Sequence, residues 1–269
     1  MDETPLSGVG DVDLETPNIA RMYDYFLGGS ANFAIDREAA EEFLRVYPGN
    51  TAWAQYNRAF LGRAVRELCR LGIHQFLDLG SGVPTVGNVH EIALTHNPHA
   101  HIAYVDIEPV AVHHALRMVG DNPQVTVTQA DLTEPSSVLH APGVAEFLDF
   151  DRPIAVLAVA ILDIIDSADA AGLMGTYRDA CPSGSALAIT NGAALAMTTE
   201  ERAGIDTVMA GTTTPHVHFR DPDEIAEIFT GYALLDPGIV PSAAWRPDEP
   251  ISTEKARHSN GYAAVGLRP

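Results

Sequence analysis

Phe76-Leu77-Asp78-Leu79-Gly80-Ser81-Gly82-Val83-Pro84-Thr85-Val86-Gly87 is the stretch that decides the fold. Residues 76–79 read as a short buried strand. The strand ends in two glycines one residue apart, passes through Pro84, and gives way to a helix near Asn88. A strand that breaks into Gly-x-Gly and re-enters as a helix leaves backbone that a ligand can approach without meeting a Cβ. The free N–H groups at a helix start favour an electronegative ligand group. Glycines also occur in ordinary turns, so the surrounding pattern has to choose between the two.

That pattern alternates. The helix after the glycine loop runs to about residue 96, with Glu91 three residues after Asn88 in capping-box spacing. A second strand over 102–105 ends at Asp106, and Pro109 opens a helix to about 119. A third strand over 125–128 ends at Ala130-Asp131-Leu132, with room for a short helix around 144–148. A fourth, over 154–160, is apolar on both faces, as a central parallel strand should be. A helix over 173–180 leads to a fifth strand over 186–190. Asp221 starts a helix to about 230, and late strands over 232–235 and 262–266 can pair. The class is α/β: a doubly wound, mostly parallel, seven-stranded sheet of Rossmann-like type.

Upstream the character differs. Residues 1–16 are acidic and aperiodic, the composition of a mobile tail. Residues 17–72 read as a helical cap or lid over a domain spanning 73–269. Within it, an aromatic-rich segment over 18–27 breaks at Gly28-Gly29, Asp36 can cap a helix to Tyr47, and a long helix opens at Asn50 or Thr51. In that helix Trp53, Tyr56, Phe60, Ala64, Leu68 and Leu71 recur at three- and four-residue steps.

The chain has 269 residues and a formal charge of −20. So acidic a surface repels phosphate backbones and anionic lipid, which argues against nucleic acid and membrane partners. It suits a small-molecule substrate, neutral or cationic. Arg58, Arg63, Arg66 and Arg70 read as the solvated face of one helix. The longest apolar run, 154–165, is interrupted by Asp163 and falls short of a bilayer span. Met1-Asp2-Glu3 does not open a secretory signal, and Cys69 and Cys181 read as reduced, packed thiols, so a cytoplasmic location is expected. Oligomeric state is not readable.

In an open α/β sheet, ligands bind outside the carboxyl ends of the strands, where the strand order reverses. Asp106 can accept from ribose hydroxyls, which suits both NAD and S-adenosylmethionine. Asp131 can accept from an adenine amino group, with Leu132 packing nearby. Two details favour S-adenosylmethionine. Thr85 stands where a pyrophosphate loop would have its third glycine, and the acidic field suits a sulfonium cation.

Several motifs together resemble one family. They are Asn18-Ile19-Ala20-Arg21-Met22-Tyr23-Asp24-Tyr25-Phe26-Leu27-Gly28-Gly29 with Asn32-Phe33-Ala34-Ile35-Asp36-Arg37, the glycine stretch with Asn88-Val89-His90, Tyr104-Val105-Asp106-Ile107-Glu108-Pro109, and Pro237-Gly238-Ile239-Val240 before Trp245-Arg246-Pro247. They are similar to the actinobacterial S-adenosylmethionine-dependent methyltransferases once labelled a domain of unknown function, with a class I methyltransferase fold. The resemblance implies that Asp78, Gly80, Ser81 and Gly82 surround the methionine end of the cofactor, Asp106 and Ile107 the ribose, and Asp131 and Leu132 the adenine. It implies that the cap brings Arg21, Tyr23 and Tyr25 toward the ligand. It also implies a histidine near position 163, where this chain has Asp163.

Methyl transfer mainly requires the acceptor lone pair to be held behind the methyl group, with a base only where the acceptor must lose a proton. No catalytic residue is fixed by the sequence; Tyr23, Asp163 and His216 are the candidates, with Tyr25, Asp166 and His218 behind them. No metal is expected, because the histidine pairs at 99/101, 113/114 and 216/218 have no third ligand nearby. The Asn-Pro-Pro-aromatic signature of amino-group DNA methylation is absent after the fourth strand. Two alternatives stay open: an NAD-dependent oxidoreductase, and an S-adenosylmethionine-binding protein without catalysis.

Overall fold

The computed structural model describes residues 12–85, 87–165 and 170–269. Five strands, β1 (Gln75–Leu79), β2 (His101–Asp106), β3 (Val125–Gln129), β4 (Ala155–Val159) and β5 (Ala186–Gly192), are all parallel to their neighbours in this group. Three more complete the sheet: β6 (Ala233–Leu234), β7 (Val240–Pro241) and β8 (Gly261–Leu267). The order is β3-β2-β1-β4-β5-β8-β6, with β7 also pairing β8. β8 runs antiparallel to β5, β6 and β7. The sheet therefore has eight strands rather than the expected seven. The extra one is two residues long inside a proline-rich loop, too short to show any periodicity.

The strand order reverses between β1 and β4, which puts the binding crevice at the tips of β1, β2 and β4. Successive side chains point to opposite faces of a strand, and the buried residues divide accordingly. Leu77, Leu79, Val105, Val156, Leu187 and Ile189 pack on one face, with α6 (Pro135–Leu139), α7 (Pro142–Ala145), α8 (Ala170–Ala180) and α10 (Pro222–Ile228). Phe76, Ile102, Tyr104, Leu157 and Ala188 pack on the other, under α3 (Asn50–Arg70) and α4 (Val89–His96). α5 (Pro109–Val119) links β2 to β3, and α11 (Thr253–Arg257) precedes β8.

A third apolar cluster stands apart from both. Met22 and Phe26 of α1 (Ile19–Phe26), Ala40 and Phe43 of α2 (Ala34–Val46), Tyr47, and Ala54 of α3 pack with Ile205 and Met209 of α9 (Thr199–Met209). The covering layer thus borrows a helix from beyond β5.

Local chemistry accounts for the helix ends. Asn18 caps α1, its Oδ1 accepting from the amides of Ala20 (2.9 Å) and Arg21 (3.3 Å). α2 begins two residues before Asp36, which acts from the third helical position by accepting from the Phe33 amide at 2.9 Å. α3 departs most from expectation. Residues 60–65 are all buried, because α4 and a 3-10 turn over Ser242–Ala244 pack on α3 as well as the sheet. Arg63 is consequently not on a solvated face. It is buried, and it donates to the carbonyls of Trp245 (2.7 Å) and Ser242 (2.8 Å). Leu71, expected on the apolar stripe, is exposed past the helix end.

Of the tail expected over 1–16, residues 1–11 lie outside the described residues. The rest is tied down: the carbonyls of Asp13 and Thr16 both accept from Arg21 Nη2 at 3.0 Å.

Candidate functional site

The chain leaves β1 through Gly80 and Gly82, both left-handed at φ 65° and 66°. The amides of Gly80 and Ser81 donate to the Val105 carbonyl (2.8 and 3.1 Å), which folds the loop against the tip of β2. At Gly80 a Cβ would sit 2.4 Å from Ile161 Cγ1, whereas at Gly82 it would meet nothing within 4 Å. The first glycine therefore admits a neighbour, and the second opens onto space.

Asp106 stitches the two strand tips together. Its Oδ2 accepts from the Gly82 amide at 2.6 Å and its Oδ1 from the Glu108 amide at 2.8 Å. A carboxylate has about four lone-pair sites, so acceptor capacity for a ligand remains. At the tip of β3, Asp131 Oδ1 accepts from the amide (2.8 Å) and hydroxyl (2.7 Å) of Thr133. Beyond β4, Ala160 takes a left-handed φ of 56° and its amide donates to Thr190 Oγ1 at 2.8 Å. A non-glycine residue held in that region is backbone strain. The turn lays Ile161 over Gly80 and brings Asp163 into the wall of the same crevice.

These elements enclose a cavity of about 520 Å³. Asp78, Gly80, Ser81, Gly82, Asp106, Ile107, Asp131 and Leu132 all line it, as do Tyr23 and Asp163. The structure thus brings together residues from both ends of a long stretch of sequence.

Three expected residues stand elsewhere. Arg21 does not line the cavity. It is buried with Nε on Asp36 Oδ2 (2.8 Å), Nη1 on Glu108 Oε1 (3.1 Å) and Nη2 on two carbonyls, so its donors are spent within the protein. Tyr25 turns outward and donates to Glu41 Oε1 at 3.2 Å. His216 is exposed and apart from the wall. His218 only supports it, its amide donating to the Asp163 carbonyl at 2.7 Å. Asp166 lies outside the described residues.

Arg58, expected on a solvated helix face, instead lines the cavity, with Nη2 on Thr85 Oγ1 at 2.6 Å. The sequence does carry a signal for this. The stripe buried on α3 runs Asn50, Ala54, Asn57, Leu61, Ala64 and Leu68; two asparagines on an otherwise apolar stripe are the informative exception, and Asn50 lines the cavity. Burial pushes the Asp78 carboxyl up to about 7, against the lowering pull of Arg58 and with a further raising push from Asp106. Burial likewise pushes Asp106 up to about 6, against hydrogen bonds from the amides of Glu108 and Gly82. Asp163 also goes up to about 6 through burial, opposed by the Gly192 amide and Arg220. The Tyr23 phenol is pushed up to about 12 by burial and donates to the Ala54 carbonyl (3.2 Å), so it holds its proton at neutral pH.

Three buried carboxylates facing one guanidinium make a cation-seeking cavity. Among the described residues no N–H or O–H donates to the Asp78 carboxylate. A ligand combining an ammonium, a sulfonium and ribose hydroxyls fits this donor and acceptor set. Among the described residues no group of three or more His, Cys, Asp or Glu is placed to hold a metal ion, and no helix is long and apolar enough to cross a membrane.

A family model described as S-adenosyl methyltransferase matches residues 7–269. A candidate methyltransferase from Thermobifida fusca is 35% identical, with 99% of each chain covered and a TM-score of 0.91. A DUF574 family protein from Streptomyces avermitilis is 33% identical, covering 96% of this chain and 100% of that one, with a TM-score of 0.89. An O-methyltransferase family protein from Burkholderia thailandensis, 16% identical over 83% of this chain and 61% of its own with a TM-score of 0.50, shares the fold. No curated protein matches the chain.

Proposed function

The chain belongs to the S-adenosyl methyltransferase family, and from that premise we propose how its cavity works. It is an S-adenosylmethionine-dependent methyltransferase of class I fold, with S-adenosylmethionine as cofactor. Our reading seats the methionine end against Asp78, Gly80, Ser81 and Gly82, the ribose at Asp106 and Ile107, and the adenine at Asp131 and Leu132. Residues 17–72 act as a cap over the catalytic unit of 73–269, and α9 of that unit packs into the cap's own apolar cluster.

The cofactor supplies a methyl group on a positively charged sulfur, which an acceptor lone pair displaces as the C–S bond opens. The chain's own residues hold the partners in line and exclude water. The one observation that carries the assignment is Asp78: a carboxylate buried at the glycine loop, lacking a donor among the described residues and destabilised by that burial. Charge left unpaired in a wall is costly unless a cationic ligand meets it. The acceptor is a small molecule; the acidity of the chain argues against a nucleic-acid partner, and its free Cys69 and Cys181 support a cytoplasmic setting.

Asp78→Asn tests this in two directions at once. Removing a charge-assisted bond should weaken S-adenosylmethionine by roughly 2 kcal/mol, about 30-fold. Removing an unfavourable buried charge should leave the ligand-free protein at least as stable at neutral pH. Titration calorimetry with S-adenosylmethionine and NAD, beside thermal melts, reads both. Unchanged S-adenosylmethionine affinity removes the methionine-end assignment.

A further inference from the structure

The cavity extends beyond the strand tips into the space under the cap. There its walls change character. Tyr23, Phe26, Phe43, Tyr47, Trp53 and Phe219 all face it, in a chain that is only 7% aromatic. Tyr23 and Trp53 meet edge to face at 5.9 Å between ring centroids, and Phe26 and Phe43 meet tilted at 5.6 Å. Rings that already contact one another leave space suited to another flat or compact apolar group.

Two polar side chains that interrupt this lining each leave one atom unpaired among the described residues. Asp163 is 2% exposed; its Oδ2 takes a long bond from the Gly192 amide (3.2 Å), and among the described residues its Oδ1 has no donor. Asn50 is 4% exposed and its Nδ2 has no acceptor. Native interiors satisfy nearly all such groups, so an orphaned carboxylate oxygen in the wall of an aromatic chamber calls for a ligand donor.

We propose that this chamber is the methyl-acceptor subsite, and that it takes an arylalkylamine whose nitrogen is held by Asp163. This rests on the methyltransferase reading above. Aromatic walls account for the ring, and the carboxylate accounts for the nitrogen. Asp78, Asp106 and Asp163 against Arg58 make a cationic group preferable to a carboxylate or phenolate. For transfer, one N–H bond of the ammonium breaks and its proton passes to the Asp163 carboxylate. The freed lone pair would then form the N–C bond as the donor's C–S bond opens, leaving a secondary ammonium and a neutral thioether, and Asp163 would return the proton it took to water.

The test is calorimetry on protein saturated with S-adenosylhomocysteine, using phenethylamine, tyramine and tryptamine beside 2-phenylethanol and 3-phenylpropionate. At least one amine should bind ten-fold or more tighter than the alcohol, and the carboxylate should not bind. Asp163→Asn should lose ten-fold or more for that amine while its S-adenosylhomocysteine affinity stays within two-fold of wild type. The amine-over-alcohol preference is read on the unaltered chain, so it stands or falls even if the variant does not fold. The proposal is overturned if no amine binds, if amine and alcohol bind alike, or if the variant keeps the amine. It is also overturned if the variant loses S-adenosylhomocysteine as strongly as the amine, which would place Asp163 in the cofactor site. Failure of wild-type protein to bind S-adenosylhomocysteine at all would instead overturn the underlying methyltransferase reading.

Discussion

Removing Arg21 should cost more stability than removing either carboxylate it touches. Arg21 is 1% exposed and Asp36 is 0% exposed, paired at 2.8 Å. Asp36 also accepts from the amides of Phe33 and Asn18, both at 2.9 Å, so one carboxylate fixes the starts of two helices. Glu108, 11% exposed, takes Arg21 Nη1 and, at 2.8 Å, Asn18 Nδ2, joining the cap to the β2 tip beside Asp106. Breaking a buried pair by deleting one partner costs about 3–5 kcal/mol, because the other charge stays buried. Arg21→Met strands two carboxylates and belongs at about 5 kcal/mol, the top of that range. Asp36→Asn leaves Arg21 with Glu108 and belongs near ~3 kcal/mol. Glu108→Gln, the most exposed of the three, should cost about 1–2 kcal/mol. At roughly 2–4 °C per kcal/mol for a chain of this size, Asp36→Asn lowers the melting midpoint by ~6–12 °C. Urea titration gives the ranking, and native-state hydrogen exchange gives the location: amides of α1 and α2 should lose protection before those of β1 and β4. If all three variants fall within about 1 kcal/mol of wild type, the latch is a crowd of surface-like contacts and the reasoning fails.

Other outcomes follow from the same geometry. Gly80→Ala should destabilise by about 2–3 kcal/mol, combining a left-handed Cβ with a 2.4 Å approach to Ile161, while Gly82→Ala should cost ~1 kcal/mol or less from backbone strain alone. Thermal melts that rank the two equally would contradict the packing described for Ile161. S-adenosylmethionine affinity should rise between about pH 5.5 and about pH 8, because Asp78 (up to about 7) must ionise to meet the cationic end and Asp106 (up to about 6) to accept from the ribose hydroxyls. Calorimetry in buffers of different ionisation enthalpy should show proton release near pH ~6.5, and a pH-independent affinity would remove those carboxylates from the contact. The stability sign is opposite. Both groups bind protons more tightly folded than unfolded, so their contribution to ligand-free stability is full below the ordinary 3.8 and is lost as pH rises through about 6–7.

How much of this is legible in the sequence depends on how local each signal is. The α/β alternation is readable because every strand and cap carries its own chemistry within a few residues: Asn88 with Glu91, Pro109 opening α5, Gly72 stopping α3. The three strand tips are readable for the same reason, since a parallel sheet converts strand ends into neighbours without further information. Arg21 and Arg58 both depart from their expected roles because both lie on helices of mixed character. Nothing in a helical pattern tells which arginine will meet Asp36 and which will meet Thr85. The same holds on a larger scale for the acceptor side. Its walls come from α1–α3 and from residues 197–219, segments separated by the entire parallel sheet and brought together by tertiary contacts such as the packing of Phe43 and Tyr47 with Ile205 and Met209. Asp163 illustrates the consequence. In the sequence it is one aspartate interrupting an apolar run; in the fold the left-handed turn at Ala160 carries it beneath the cap, where its Oδ1 has no donor among the described residues. Cofactor chemistry is written at strand ends, where the fold class dictates the neighbours, and acceptor chemistry is written between layers. A chain of this kind therefore reveals its methyl donor before its methyl acceptor.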